Sequence, residues 1–174
     1  MRIMGIDGSL SNTGIAVVDN KNVIEILSVS TDPKDEIEER IYQSTVEIRK
    51  IIDKYKPEII VIEDVFMYIN GKTVINLARL NGAILTLCRS LNIKTILYTP
   101  SFHKKITAGS GKATKEQTII EVERYFNITV PYLLTPKGSI KKKNNKELKN
   151  DNIADALSLC CCYLKTKEGS VWKV

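Results

Sequence analysis

Four carboxylates stand where the sequence changes character. Asp7 follows the apolar run Ile3-Met4-Gly5-Ile6, Glu63 follows Ile59-Ile60-Val61-Ile62, and Asp151 and Asp155 lie four residues apart near the end of the chain. Four-residue spacing on a helix puts both side chains on one face. If the two apolar runs are neighbouring strands, Asp7 and Glu63 lie side by side at one end of a sheet. A closing helix then brings Asp155 to the same spot. Carboxylates gathered in this way repel one another and resist ionising unless a cation neutralises them. Mg²⁺ suits such a cluster, because it takes oxygen ligands and keeps waters for substrate phosphates. Two such ions about 3.5 to 4 Å apart stabilise both the attacking and the leaving oxygen in phosphodiester cleavage. Each acid alone also has a plain structural reading: Asp7 as a strand terminator, Glu63 as a surface residue, Asp151 as a helix N-cap.

The elements that must position these acids are legible as period and punctuation. Ile3 to Ile6, Gly14 to Val18 and Val23 to Val29 have strand character, and Asp19-Asn20-Lys21-Asn22 supplies turn residues between the last two, which predicts a β-meander. Ile37, Ile41, Ile48 and Ile52 recur at helical spacing, and Pro57 ends that helix. The unbroken run Ile59 to Ile62 suits a strand buried on both faces. Leu77, Leu80, Ile84, Leu87 and Leu91 predict a second amphipathic helix, followed by a short strand from Thr95 to Tyr98. Thr114-Lys115-Glu116-Gln117 reads as a capping box opening a helix that runs to Phe126. Asp151 to Leu164 reads as the last helix, with Ile153, Leu157, Cys161 and Leu164 on one side. Three strands followed by alternating helices and strands describe a mixed α/β sheet in a single domain, 1–174, with no internal repeat.

The composition agrees. The chain has 174 residues, 43% hydrophobic and 26% charged, which is the balance of a folded chain and excludes disordered, collagen-like and mini-protein classes. No apolar run reaches the roughly 18 residues of a membrane span, and Asp7 interrupts what would be a signal peptide's apolar region. A cytoplasmic protein with no membrane partner is expected. Cys160, Cys161 and Cys162 are consecutive and diverge on a helix. With Cys88 far away and no CxxC spacing, they read as small apolar residues in a reducing compartment rather than metal ligands. The net charge of +6 is concentrated in residues 137–149, which hold six lysines and one glutamate. So polar a segment reads as a mobile basic surface loop, suited either to solvent or to a phosphate backbone.

Several of these stretches together resemble the RuvC family of Holliday junction resolvases. Gly5-Ile6-Asp7-Gly8-Ser9 with Thr13-Gly14 is similar to the family's opening, and Ile62-Glu63-Asp64-Val65-Phe66 to its second acidic motif. Leu77-Ala78-Arg79-Leu80-Asn81-Gly82 resembles the helix that follows. Ala108-Gly109-Ser110-Gly111-Lys112-Ala113-Thr114-Lys115 resembles its Gly-rich segment, and Asp151-Asn152-Ile153-Ala154-Asp155-Ala156-Leu157 its closing acidic helix. The motifs occur in the family's order over nearly the whole chain, which is far more specific than any one of them.

The resemblance implies an RNase H-like fold, a five-stranded mixed sheet (three antiparallel strands, then parallel ones) flanked by helices. It implies a homodimer that binds branched DNA and nicks two strands of a four-way junction symmetrically, leaving 5′-phosphates, in recombination and repair. It also implies two Mg²⁺ ions per site, with Mn²⁺ as a substitute, held by Asp7, Glu63 and Asp155. The family's fourth ligand lies three residues before the last aspartate, where this chain has Asn152. Either the neighbouring Asp151 takes over or Asn152 supplies a neutral oxygen, and Asp151 is the favoured reading. Lys105 and Lys115 match family lysines near the DNA backbone, Lys105 with a catalytic role in stabilising developing negative charge. Lys112 lies in the same Gly-rich segment. Phe66 matches an aromatic aimed at the junction centre, where stacking on a base contributes about 1 to 3 kcal/mol, and Tyr68 is a second stacking candidate. Lys141, Lys142 and Lys143 extend the DNA contact. His103 receives no role from the resemblance and is expected at the surface or facing DNA.

Rival readings stay open at this point. They are a fork or flap nuclease using the same acids, and a junction-binding protein without catalysis. A branch-migration helicase as a further partner is also left open. The Gly-rich segment is not a nucleotide-binding GxxxxGK[ST] motif, which would need glycine at 106 and Ser or Thr at 113, where the chain has Ile106 and Ala113. A sugar kinase or actin-like ATPase shares the Asp-Gly opening in a related fold but would need a second domain, so an ATPase is not expected.

Overall fold

The computed structural model describes residues 1–66, 71–135 and 138–168. Five strands form one mixed sheet: β1 (Arg2–Asp7), β2 (Thr13–Asp19), β3 (Asn22–Val29), β4 (Ile59–Glu63) and β5 (Lys94–Tyr98), in the order β3-β2-β1-β4-β5. β1 pairs antiparallel with β2, and β2 with β3. β4 lies parallel to β1, and β5 parallel to β4. The meander closes through a turn in which Asn20 takes a left-handed φ of 53°, a conformation asparagine tolerates well.

Alternation along the strands sorts the core into two layers. Met4, Ile6, Ile15, Val17, Ile60 and Ile62 face α1 (Ile37–Tyr55) and α2 (Gly71–Ser90), packing with Ile48, Ile52, Leu80 and Ile84. Ile3, Ala16, Val18, Ile59 and Val61 face the opposite way, onto α5 (Asp151–Glu168) and α4 (Lys115–Phe126). α4 opens with the expected capping box, Thr114 and Gln117 bonding reciprocally.

Helix α5 is buried nearly all round from Ile153 to Leu164 rather than along one side, because it lies against the sheet with α3 and α4 packed on it. The three consecutive cysteines and Cys88 are buried thiols. Burial pushes the thiols of Cys88, Cys160 and Cys162 up, Cys88 to about 11 and Cys162 to about 12, so these three stay protonated packing groups. Among the described residues, no helix is long and apolar enough to cross a membrane.

Two parts of the chain differ from the sequence expectation. Pro100–Ala108 forms a helix, α3, with proline in its first turn and Gly109 in a left-handed cap at φ 78°, an N-terminal Pro and C-terminal Gly signature. The basic stretch also has structure in place of the expected loop. Strands β6 (Lys142–Lys143) and β7 (Lys146–Glu147) pair antiparallel about Asn144 and Asn145, both at positive φ. Backbone hydrogen bonds tie this hairpin to its neighbours, with Leu133 N–H donating to Leu148 O and Lys141 N–H to Leu133 O, each at 2.7 Å. The hairpin itself, Lys142–Glu147, carries no apolar side chain, and main-chain pairing gives it form instead.

Candidate active site

Register and parity bring the first two acids together. β1 and β4 run parallel with Ile6 opposite Ile62, so the next pair in that register is Asp7 and Glu63. Both share parity with the residues facing α5, namely Ile3 on β1 and Ile59 and Val61 on β4. The sheet therefore delivers both carboxylates to the face that α5 covers. Close approach of α5 depends on two glycines on that face. A Cβ on Gly5 would lie 2.1 Å from Ala156 O, and one on Gly14, which pairs with Asp7, would lie 2.1 Å from Asn152 O.

The first turn of α5 supplies the other acids. Its cap is Asn150, whose Oδ1 accepts from Ile153 N–H at 3.2 Å while its amide donates to Ser28 Oγ at 3.1 Å. Asp151 is thereby released from the capping role that its sequence position offered. Asn152 donates to Asn12 O at 2.5 Å, which fastens α5 to the loop between β1 and β2.

The electrostatics are those of crowded like charges. Asp7 is partly buried, and its carboxyl is raised well above the usual aspartate range, first by burial and then by Glu63, Asp155 and Asp151. Asp155 is pushed up to about 6, again mainly by burial, against the opposing pull of Lys104. The folded chain thus holds protons that the unfolded chain releases near pH 3.8. In EDTA, stability is expected to fall as pH rises from about 4 through about 6, because the native state binds more protons over that interval. Thermal unfolding at stepped pH checks this, with a flatter profile expected for Asp155→Asn.

Cationic and neutral donors face the acids. Lys104 Nζ is 3.9 Å from Asp155 Oδ1, Lys115 donates to Asp151 Oδ2, and His103 Nε2 is 2.7 Å from Glu63 Oε2. Asn81, buried on α2, donates to Glu63 O at 2.9 Å and steadies the end of β4. Among the described residues, no three acidic, histidine or cysteine side chains close around a common point. The donor set is nonetheless all oxygen, and burial together with the neighbouring carboxylates raises both central aspartates. That is the chemistry of a hard divalent cation site.

The structure redistributes several of the expected roles. Lys104, rather than Lys105, lies beside the acids. Lys105 is exposed on α3, and no hydrogen bond or ion pair joins its side chain to the acids among the described residues. The sequence carries two consecutive lysines here, and only recognising α3 as a helix shows which one faces inward. His103, expected at the surface, is fully buried against Glu63. Phe66 and Lys112 line a cavity of about 590 Å³ that also contacts Glu63, Gly8 and Asn81. Tyr68 lies outside the described residues. Lys141 lines a second groove, of about 600 Å³, leading past Tyr132 to Asp151 and Asn152. Lys142 pairs with Glu147 at 3.4 Å, and Lys143 is exposed in the hairpin.

A five-stranded mixed sheet in the order β3-β2-β1-β4-β5, with helices packed on both faces, is an RNase H-like fold. The fold is that of the Thermus thermophilus RuvC structure, which matches with a TM-score of 0.78 at 19% identity over 98% of this chain and 97% of that one. T. thermophilus RuvC in complex with a Holliday junction substrate matches with a TM-score of 0.76 at 17% identity, over 97% and 96%. Residues 3–136 match the family model of crossover junction endodeoxyribonuclease RuvC. The protein of that name from Fusobacterium nucleatum is 34% identical over 95% of this chain and 81% of its own length, and that from Corynebacterium glutamicum 31% over 94% and 69%. The chain belongs to the RuvC family.

Proposed function

We propose that the chain is a metal-dependent endonuclease that resolves four-way DNA junctions by nicking two strands symmetrically. The observation that carries this reading is the parallel register of β1 and β4, which sets Asp7 and Glu63 side by side facing Asp155 on α5. Membership of the RuvC family supports the substrate. Asp7, Glu63, Asp155 and Asp151 are the residues that hold two Mg²⁺ ions, or Mn²⁺ in their place. Asn152 is left to its hydrogen bond with Asn12. When bound, the ions supply Lewis-acid charge and a nucleophilic water for hydrolysis to a 5′-phosphate and a 3′-hydroxyl.

The chain's own groups position the substrate. Lys104 and Lys115 carry positive charge at the edge of the acids, where it stabilises charge developing on a phosphate. Phe66 offers a ring beside the acids for stacking an unpaired base at the crossover. Two copies of the chain, each cutting one strand, account for symmetric nicking, and the expected compartment is the cytoplasm.

The hairpin lysines extend the protein's hold along the DNA arms. Changing Lys141, Lys142 and Lys143 together to Ala is expected to weaken junction binding and to reduce the slope of log affinity against log salt by about 0.9 for each phosphate no longer neutralised. Electrophoretic shifts at several salt concentrations measure this, and an unchanged slope removes the hairpin from the DNA surface. The reading as a whole is tested by offering the protein a labelled four-way junction, a fork and a linear duplex, with Mg²⁺ and with EDTA. Junction-selective, EDTA-sensitive cleavage is expected. Equal cutting of the fork makes the protein a general branched-DNA nuclease.

A further inference from the structure

His103 touches one of the four acids and is wholly enclosed by protein. It lies on α3, and both ring nitrogens are engaged. Nε2 is 2.7 Å from Glu63 Oε2, and Nδ1 is 2.8 Å from Ser158 Oγ on α5. Ser158 Oγ lies 3.0 Å from Thr107 Oγ1, and the Thr107 hydroxyl donates to Ser158 O at 3.2 Å. His103, Ser158 and Thr107 are all buried, so the chain of hydrogen bonds is shielded from water.

The direction of the bond to Glu63 follows from the partners. A carboxylate only accepts, so Nε2–H donates. With Ser158 on the opposite nitrogen, the ring is held from α5 as well as from α3, and its tilt is fixed. Any apolar side chain of similar size would fill the space at 103 without needing two polar partners. The polar connections run to one atom of one acid at the centre of the site.

We propose that His103 is a positioning residue for Glu63: it holds Oε2, leaves the second carboxylate oxygen to ligate a divalent ion, and is itself fixed by Ser158 and Thr107. The proposal rests on the reading of Glu63 as a metal ligand and deepens it. Ligation through a single oxygen suits the near-octahedral demand of Mg²⁺ and Mn²⁺, whereas Ca²⁺ readily takes both oxygens.

Two substitutions separate this role from simple packing. In His103→Gln the side-chain amide reaches the place of Nε2 and keeps a donor on Glu63. In His103→Asn the amide reaches only the place of Nδ1, keeping Ser158 and losing Glu63. Mn²⁺ binding to the full chain without DNA, read from the electron paramagnetic resonance of the free ion, is compared for both variants, the wild type and Asp7→Asn. Mn²⁺ affinity is expected to drop about 10- to 100-fold in His103→Asn and to stay close to wild type in His103→Gln, with similar thermal unfolding of the two variants. Unchanged affinity in His103→Asn, or equal losses in both variants, overturns the positioning role while leaving the metal site standing. A wild type whose Mn²⁺ binding does not depend on Asp7 overturns the metal reading itself.

Discussion

Replacing Asp7 by Asn is expected to lower junction cleavage by about a thousandfold or more and, in the absence of divalent ions, to raise the melting temperature. The two effects have one cause. Asp7 carries a carboxylate where burial and three neighbouring acids all oppose its ionisation. That charge is unfavourable for the folded chain and useful only when a cation is held there. The amide keeps the shape of the side chain and removes the charge, so a cation loses a central ligand. Transition-state stabilisation by bound metal amounts to several kcal/mol, and about 4 kcal/mol corresponds to three orders of magnitude in rate. Relief of the burial penalty and of the repulsion raises stability, and each kcal/mol gained corresponds to about 2 to 4 °C for a chain of this size. Parallel cleavage assays and melting curves in EDTA check both halves. A slower enzyme that is also less stable contradicts the account of Asp7 as a repelled ligand.

Gly14→Ala is expected to have the largest effect on stability. The added methyl group would meet Asn152 O at 2.1 Å and Asn152 C at 2.3 Å, both main-chain atoms of the first turn of α5. Backbone cannot swing aside as a side chain can, so the helix end must lift from the sheet. The cost is expected to be about 3 kcal/mol, the upper part of the range for overpacking, or roughly 6 to 12 °C in melting temperature. Because Asp151 and Asp155 ride on that turn and the next, cleavage is expected to fall even in molecules that remain folded. Gly82→Ala serves as the contrast. That glycine lies within α2 with nothing within 4 Å of an added Cβ, and the change is expected to raise stability by about 0.5 to 1 kcal/mol. A melting temperature for Gly14→Ala equal to wild type would mean that α5 does not lie as close to β2 as described.

The contrast between these two glycines shows where sequence reading is strong and where it stops. Strands and helices with clear period are legible: the meander, the run Ile59 to Ile62 and the capping box at Thr114 lie where the pattern puts them. The acids of the first and fourth strands are legible too, because strand ends and parity follow from the same alternation. Helix α3 is not, since nine residues between a threonine and a glycine carry little apolar period. With it go His103 and the distinction between Lys104 and Lys105. Which side of a short helix faces inward is decided by what packs on it, here α5, and not by the local sequence. The hairpin at Lys142–Glu147 escapes sequence reading for a related reason. Its order comes from main-chain bonds to Leu133, a pairing that composition does not reveal. Asn144-Asn145, both at positive φ, is the signal present in the sequence, as asparagine favours such turns.

The most direct measurement maps the cuts themselves. A four-way junction labelled in turn on each strand is incubated with the protein and Mg²⁺, and the nick positions and end groups are read on a sequencing gel. The expected result is paired nicks at symmetry-related positions on two opposed strands, with 5′-phosphates, absent in EDTA and in Asp7→Asn. Scattered or unpaired nicks, or cleavage that persists in EDTA, would contradict a metal-dependent resolvase built on Asp7, Glu63 and Asp155.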